Sequence, residues 1–105
     1  MPHDKIEETL LLDYYGDLLT QHQIDILDEY FNEDLSMNEI AENYEISKSA
    51  VQDLIKRSLK QLNEYESKLK LIAKDKKLKE VLDDMYHEDD DLLKTYGKMI
   101  ENIFK

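Results

Sequence analysis

The sequence predicts an all-α protein: a helix-turn-helix bundle with a long fourth helix and additional helices towards the C-terminus. Three observations carry that prediction. The 105 residues include only two glycines and one proline, too few for the turns that a β-protein of this size needs. Apolar residues recur at steps of three and four along most of the chain, which is the spacing of one helix face. Thr20, Ser36 and Ser47 stand just ahead of three of these stripes, where a hydroxyl can accept an N–H left unpaired in a helix's first turn.

The first stripe is Ile6, Leu10, Leu11, Tyr14 and Leu18, with Gly16 near its end, where a helix tolerates termination. Thr20-Gln21-His22-Gln23 reads as a capping box, in which the Thr hydroxyl accepts from the N–H three residues on and the Gln side chain reaches back. The stripe Ile24, Leu27, Tyr30, Phe31 follows, and the polar cluster Asn32-Glu33-Asp34 should end it. Ser36-Met37-Asn38-Glu39 is a second capping box, opening a short helix with Met37, Ile40, Ala41 and Tyr44 available for burial. Glu45-Ile46 is the expected turn and Ser47 the next N-cap.

The fourth helix should run from about position 48 to the low seventies. Val51, Leu54, Ile55, Leu59, Leu62, Leu69 and Ile72 keep the rhythm, which breaks only around Glu66, and no Pro or Gly lies between positions 17 and 96. Two more amphipathic segments follow. The first carries Leu78, Val81, Leu82 and Met85; the second, after the acidic cluster Glu88-Asp89-Asp90-Asp91, carries Leu92, Leu93, Tyr96, Met99, Ile100 and Ile103. The expected organisation is one helical domain over 1–105, with the helix-turn-helix core over 20–72 and a C-terminal helical extension over 74–105.

Within this frame, SMNEIAENYEISKSAVQDLIKR carries the chemistry. Two helices joined by so short a turn must approach closely, and Ala41 supplies the small residue that the bend needs. Ile40, Tyr44, Ile46, Val51 and Leu54 fall where the pair needs apolar pins. The second helix then presents its N-terminal outer face, with Lys48, Ser49, Gln52, Asp53 and Lys56, as a reading helix does to a major groove. Gln can pair bidentately with adenine, while Lys and Ser reach bases or phosphates. Ser36 and Ser47 stand at helix N-termini, where hydroxyls and N–H groups suit phosphate oxygens. The candidate nucleic-acid-binding set is therefore Ser36, Ser47, Lys48, Ser49, Gln52, Lys56 and Arg57. The competing reading is a packing unit of the same shape with no nucleic acid. Glu45 stands where Gly is usual in the turn, and Asp53 repels phosphate.

Charge sharpens both readings. The formal net charge is −11, but it is segregated. Residues 1–46 hold one Lys against thirteen acids, residues 47–79 hold ten Lys and Arg against four, and residues 80–105 hold three Lys against eight. A basic middle between acidic ends suits a polyanion only if the ends face away.

Other classes of function find little support. The chain has no cysteine, which excludes disulfides, thiolate metal sites and Cys nucleophiles. His3, His22 and His87 lack metal-ligand spacing, and no metal or other cofactor is expected. Glu88 to Asp91 lack the Gly and the spaced ligands of a calcium loop and fit an acidic helix N-terminus. No Gly-rich phosphate loop or nucleophile–base pair points to an enzyme. No apolar run suits a membrane span, no signal-peptide core is visible, and the expected location is the cytoplasm. Tyr14, Tyr30 and Tyr44 belong at the core or its rim, whereas Tyr15 and Tyr65, if exposed, could stack on RNA bases. The stripe Leu59, Leu62, Leu69, Ile72 needs cover, from residues 78–103 or else from a second copy in a homodimer.

The run LLTQHQIDILDEYFNEDLSMNEIAENYEISKSAVQDLIKRSLKQLNEYESKLKL resembles the YlxM family of bacterial helix-turn-helix proteins. The resemblance rests on Leu19-Thr20 with Gln23, Asp34-Leu35-Ser36, Glu39-Ile40-Ala41-Glu42, Ile46-Ser47, Ala50-Val51 with Asp53, Ile55-Lys56-Arg57, and Tyr65-Glu66 with Lys68-Leu69. It spans about residues 5–72 and leaves the last thirty residues uncovered. The same stretch is similar to the C-terminal domain of sigma factors, which reads the −35 promoter element. The resemblance implies a sigma-like all-α fold, a link to components of the signal recognition particle pathway, and a regulatory role. Members commonly carry Arg-Gln after the Ser; Lys48-Ser49 here removes a bidentate donor. Two functions are thus in competition: a DNA-binding regulator, and a protein- or RNA-interaction module of the protein-targeting machinery.

Overall fold

A computed structural model describes residues 5–104. Among the described residues there are six α-helices and one 3-10 turn, and no strand. The chain divides into two compact units, Met1–Ile72 and Ala73–Lys105.

In the first unit, α1 (Lys5–Tyr15) runs into a 3-10 turn (Gly16–Leu18) and is followed by α2 (Gln21–Phe31), α3 (Met37–Tyr44) and α4 (Lys48–Leu69). Both expected capping boxes form. Thr20 accepts from the Gln23 N–H while Gln23 accepts from the Thr20 N–H, and Ser36 and Glu39 do the same for α3. Each satisfies donors that an open first turn would leave bare. The core takes Leu11, Leu12 and Tyr15 from α1, Leu19 from the connection, Ile26, Leu27 and Phe31 from α2, Ile40 and Ala41 from α3, and Val51, Ile55 and Leu62 from α4.

The first stripe needs correcting. Leu11 is buried and Leu10 and Tyr14 are half-buried, but Ile6 is 82% and Leu18 55% exposed. Leu12, Tyr15 and Leu19 face inward instead. The helix stops at Leu19, which is extended, with φ −94 and ψ 165, and that break after the 3-10 turn brings Leu19 rather than Leu18 onto the core. The cover of α4 also differs from expectation within this unit. Leu62 is fully buried in the core to which α1 contributes, and Leu59 and Ile72 pack on that core, so α1 does much of what residues 78–103 were expected to do.

α4 ends without Gly or Pro. Lys70 takes a left-handed conformation, φ 55, and donates its N–H to the Glu66 carbonyl at 2.9 Å. α5 (Leu71–His87) starts at once, and its first two N–H groups are caught by side chains. Leu71 donates to the Tyr15 hydroxyl and Ile72 to the Glu66 carboxylate, both at 3.0 Å, while the Tyr15 hydroxyl donates to Glu66. The break in rhythm at Glu66 thus marks a half-buried cap. Tyr15 is 1% exposed and Tyr65 half-buried, with ring centroids 6.0 Å apart, so neither is a free stacker for RNA. Burial, and then the hydrogen bond to Glu66, raise the Tyr15 pKa above its ordinary value.

The second unit is a helical hairpin. α5 and α6 (Asp91–Ile103) are joined by Glu88–Asp90, and Asp90 caps α6 by accepting from the N–H groups of Leu92 and Leu93. Leu82 and Gly97 are its buried residues. A Cβ on Gly97 would stand 2.8 Å from the Tyr86 ring, so the missing side chain is what lets the two helices meet there. Burial, and then Glu101 beside it, raise the Tyr86 pKa.

Candidate nucleic-acid interface

α3 and α4 form the helix-turn-helix anticipated from the sequence. α3 is short because its C-terminus closes on itself: the Ile46 N–H donates to the Ala41 carbonyl at 3.0 Å and the Glu45 N–H to that of Glu42 at 3.3 Å. That pattern requires a left-handed residue after the helix, and Glu45 provides it with φ 56 and ψ 42. The turn is therefore the one that glycine would make, held by a side chain that dislikes it. Ile40 and Ala41 on one side and Val51 and Ile55 on the other are all buried, and Tyr44, Ile46 and Leu54 pack around them. Ser47 then caps α4 by accepting from the Ala50 N–H at 3.0 Å.

Beneath α3, the half-buried Tyr44 lies beside Glu29. Its hydroxyl pKa is pushed up to about 12, first by its hydrogen bond to that carboxylate and then by burial. The His22 ring meets Tyr44 edge-on at 5.6 Å.

α4 has two distinct sides. Val51, Ile55, Ser58 and Leu62 turn into the core. Lys48, Ser49, Gln52, Asp53, Lys56, Arg57 and Lys60 are exposed, and at 3.6 residues a turn they fall within about half of the helix circumference. Of the predicted set, Ser47, Lys48, Ser49, Gln52, Lys56 and Arg57 therefore share the N-terminal half of one helix. Ser36 stands apart, at the start of α3, where its hydroxyl caps that helix.

Asp53 has a local partner: its carboxylate lies 3.0 Å from the Arg57 Nε, one helical turn on, with both side chains largely exposed. Such a pair is worth little to stability, but it cancels one positive and one negative charge on the exposed side. Lys48, Lys56 and Lys60 remain as the cations of this stretch.

Lys60 and the bridging role of Gln23 were missed in the sequence. Arg57 and Lys60 line a groove of about 450 Å³ with Thr20, Gln23, Leu54, Gln61 and Glu64. Lys60 lies four residues after Lys56, a spacing that was visible. Gln23 reaches across this groove from α2, donating to Ser58 Oγ at 3.0 Å and Gln61 Oε1 at 2.8 Å. Only its capping role was legible, because its other partners are more than thirty residues away.

Among the described residues, no group of three or more His, Cys, Asp or Glu side chains could hold a metal ion. His3 lies outside the described residues. No described helix is long and apolar enough to cross a membrane.

A model of the UPF0122 family, YlxM/p13-like helix-turn-helix proteins, matches residues 3–103. A UPF0122 protein of Clostridium perfringens (strain ATCC 13124) is 40% identical over 107 residues, covering 95% of this chain and 96% of that one. One from Clostridium kluyveri is 47% identical over 77 residues, covering 73% and 69%. One from Desulforamulus reducens is 49% identical over 65 residues, covering 62% and 56%.

Proposed function

Because the chain belongs to the UPF0122 family of YlxM/p13-like helix-turn-helix proteins, we propose that it is a DNA-binding regulatory protein that reads duplex DNA with α4. The observation that carries this reading is the two-sidedness of α4. Its inner side is committed to the core, while its N-terminal outer side holds exposed cations and amides and no exposed large apolar residue. Lys48, Lys56 and Lys60 contact phosphates, and Arg57 joins them when it leaves Asp53. Gln52 and Ser49 reach base edges. The N–H groups and hydroxyls at Ser36 and Ser47 cradle flanking phosphates.

The acidic surface supports a second reading. Thirteen acids against one Lys over residues 1–46 give the early helices a field that suits a basic protein partner. On that reading the chain is an adaptor of the protein-targeting machinery, and signal recognition particle components are its partners. A titration at low and moderate salt against duplex DNA, the particle's RNA and its GTPase separates the two. Salt-sensitive binding to the duplex alone supports the DNA reading. Binding to the GTPase or the RNA with none to duplex refutes it.

A further inference from the structure

The geometry points to α6 as the self-association surface of this protein, pairing antiparallel with α6 of a second copy. Leu92, Tyr96, Met99 and Ile103 are 61%, 51%, 55% and 75% exposed. They follow one another at steps of four, three and four, a coiled-coil seam on one side of the helix. The other apolar side of α6 is already used: Gly97 is buried against Tyr86, and Leu93 and Ile100 are half-buried. The outer stripe is therefore a second apolar face.

Three observations identify the occupant as a second copy. The first is symmetry. The stripe's spacing reads the same from either end, so a two-fold axis near residues 97–98 sets Leu92 against Ile103 of the second copy and Tyr96 against its Met99. A surface that matches itself under a two-fold is what an isologous dimer requires.

The second is charge. Lys74, Lys76, Lys77 and Lys79 are exposed in the first half of α5, whereas Asp83, Asp84 and the run Glu88 to Asp91 are exposed towards the connection. Asp75 and Leu78 line one groove with Glu101 and Phe104, so the basic half of α5 lies beside the end of α6. Antiparallel pairing through α6 brings the basic end of each hairpin to the acidic end of the other.

The third is size. The unit Ala73–Lys105 is shorter than the roughly 40 residues below which a fold usually needs disulfides, metals or oligomerisation. The chain has no cysteine, and no metal cluster is found among the described residues. Four side chains exposed by about three-fifths of some 200 Å² each offer roughly 500 Å² per copy, which brings a dimer to about 1,000 Å² in total, the size a specific interface should reach.

Sedimentation equilibrium of the full chain tests this. Wild type sediments as a dimer at micromolar concentration. Met99→Glu and Tyr96→Glu each weaken dimerisation by roughly 100-fold, because each buries a charge in the seam. Both keep their helical signal, since these side chains are exposed in the protomer. Single cysteines in the cysteine-free chain fix the direction. About the two-fold, Met99→Cys residues lie about 4–5 Å apart along the axis and Ile103→Cys residues about 16 Å, so mild oxidation links only the former. A wild-type monomer at about 100 µM, ten times below the concentration at which a millimolar contact would half-form, overturns the proposal. So does a dimer that survives both Glu substitutions, or equal cross-linking at 99 and 103.

Discussion

The Tyr15 hydroxyl, on α1, donates a hydrogen bond to the Glu66 carboxylate, 51 residues later on α4. Together they receive the N–H groups of Leu71 and Ile72. One buried ring thus fastens the first helix to the place where the fourth ends and the fifth begins. Tyr15→Phe keeps the ring and removes the hydroxyl, taking one hydrogen bond from the half-buried Glu66 carboxylate, which keeps the Ile72 N–H, and leaving the Leu71 N–H without its acceptor. The expected loss is about 1–3 kcal/mol, read by urea unfolding at 222 nm. Glu66→Gln, which still offers an acceptor oxygen, should lose less.

Gln23 closes its own capping box and also spans from α2 to Ser58 and Gln61. Gln23→Ala removes both functions and takes a partner from the fully buried Ser58. Stability should fall by about 2 kcal/mol. Thr20→Ala, which loses only the cap, should cost about half as much. Equal losses in the two variants would show that the α2–α4 bracket contributes nothing.

Glu45 bears a left-handed turn with a side chain. Glu45→Gly relieves that strain but frees the unfolded chain, for a net gain of about 0.5–1 kcal/mol. It also deletes an anion at the turn leading into α4, so duplex affinity should rise at low salt. Glu45→Ala deletes the same charge without the relief. It should match the affinity change while gaining no stability in denaturant melts.

Tyr15, Tyr44 and Tyr86 all hold their protons more tightly than free tyrosine, Tyr44 up to about 12. The unfolded chain loses these protons near pH 10. The stabilisation is therefore complete below about pH 10 and is lost as pH rises towards 12. Absorbance at 295 nm should resolve late-titrating tyrosines in the folded protein, and Tyr44→Phe should remove one. Ionisation of all seven near pH 10 in still-folded protein would contradict the Glu29–Tyr44 contact.

Asp53 neutralises Arg57 on the exposed side of α4. Asp53→Asn frees the guanidinium and removes a repelling charge, so duplex affinity should rise several-fold and the salt dependence should steepen by about one phosphate contact. Stability should change by less than about 1 kcal/mol, since the pair is exposed.

What the sequence made legible was local. Both capping boxes, the Ser47 cap, the Ala41 contact and the start of α4 depend on residues three or four apart, and they stand as read. The inward turn of Leu19 instead of Leu18 was hidden because the backbone becomes extended at Leu19, whereas a stripe assumes an unbroken helix. Glu66 showed only as a flaw in a stripe, since its meaning depends on Tyr15, far away in sequence. That Lys48, Ser49, Gln52 and Lys56 share the exposed side of α4 was legible from their spacing. Arg57's tie to Asp53 was also within reach, since the two stand four residues apart on one helix. Gln23's second role was not legible, because nothing local requires it.

The central claim is that the outer side of α4 holds the phosphate backbone of duplex DNA, and its salt dependence tests that most directly. Fluorescence anisotropy with a labelled duplex, taken between about 50 and 200 mM salt, gives the slope of log affinity against log salt. With Lys48, Lys56 and Lys60 engaged and Arg57 held by Asp53, that slope should be about −2.7. Lys48→Ala/Lys56→Ala should bind more weakly and flatten the slope by about 1.8, with unfolding unchanged. Duplex binding of unchanged strength and slope in the double variant would contradict the claim, as would no duplex binding by the wild type at the lowest salt.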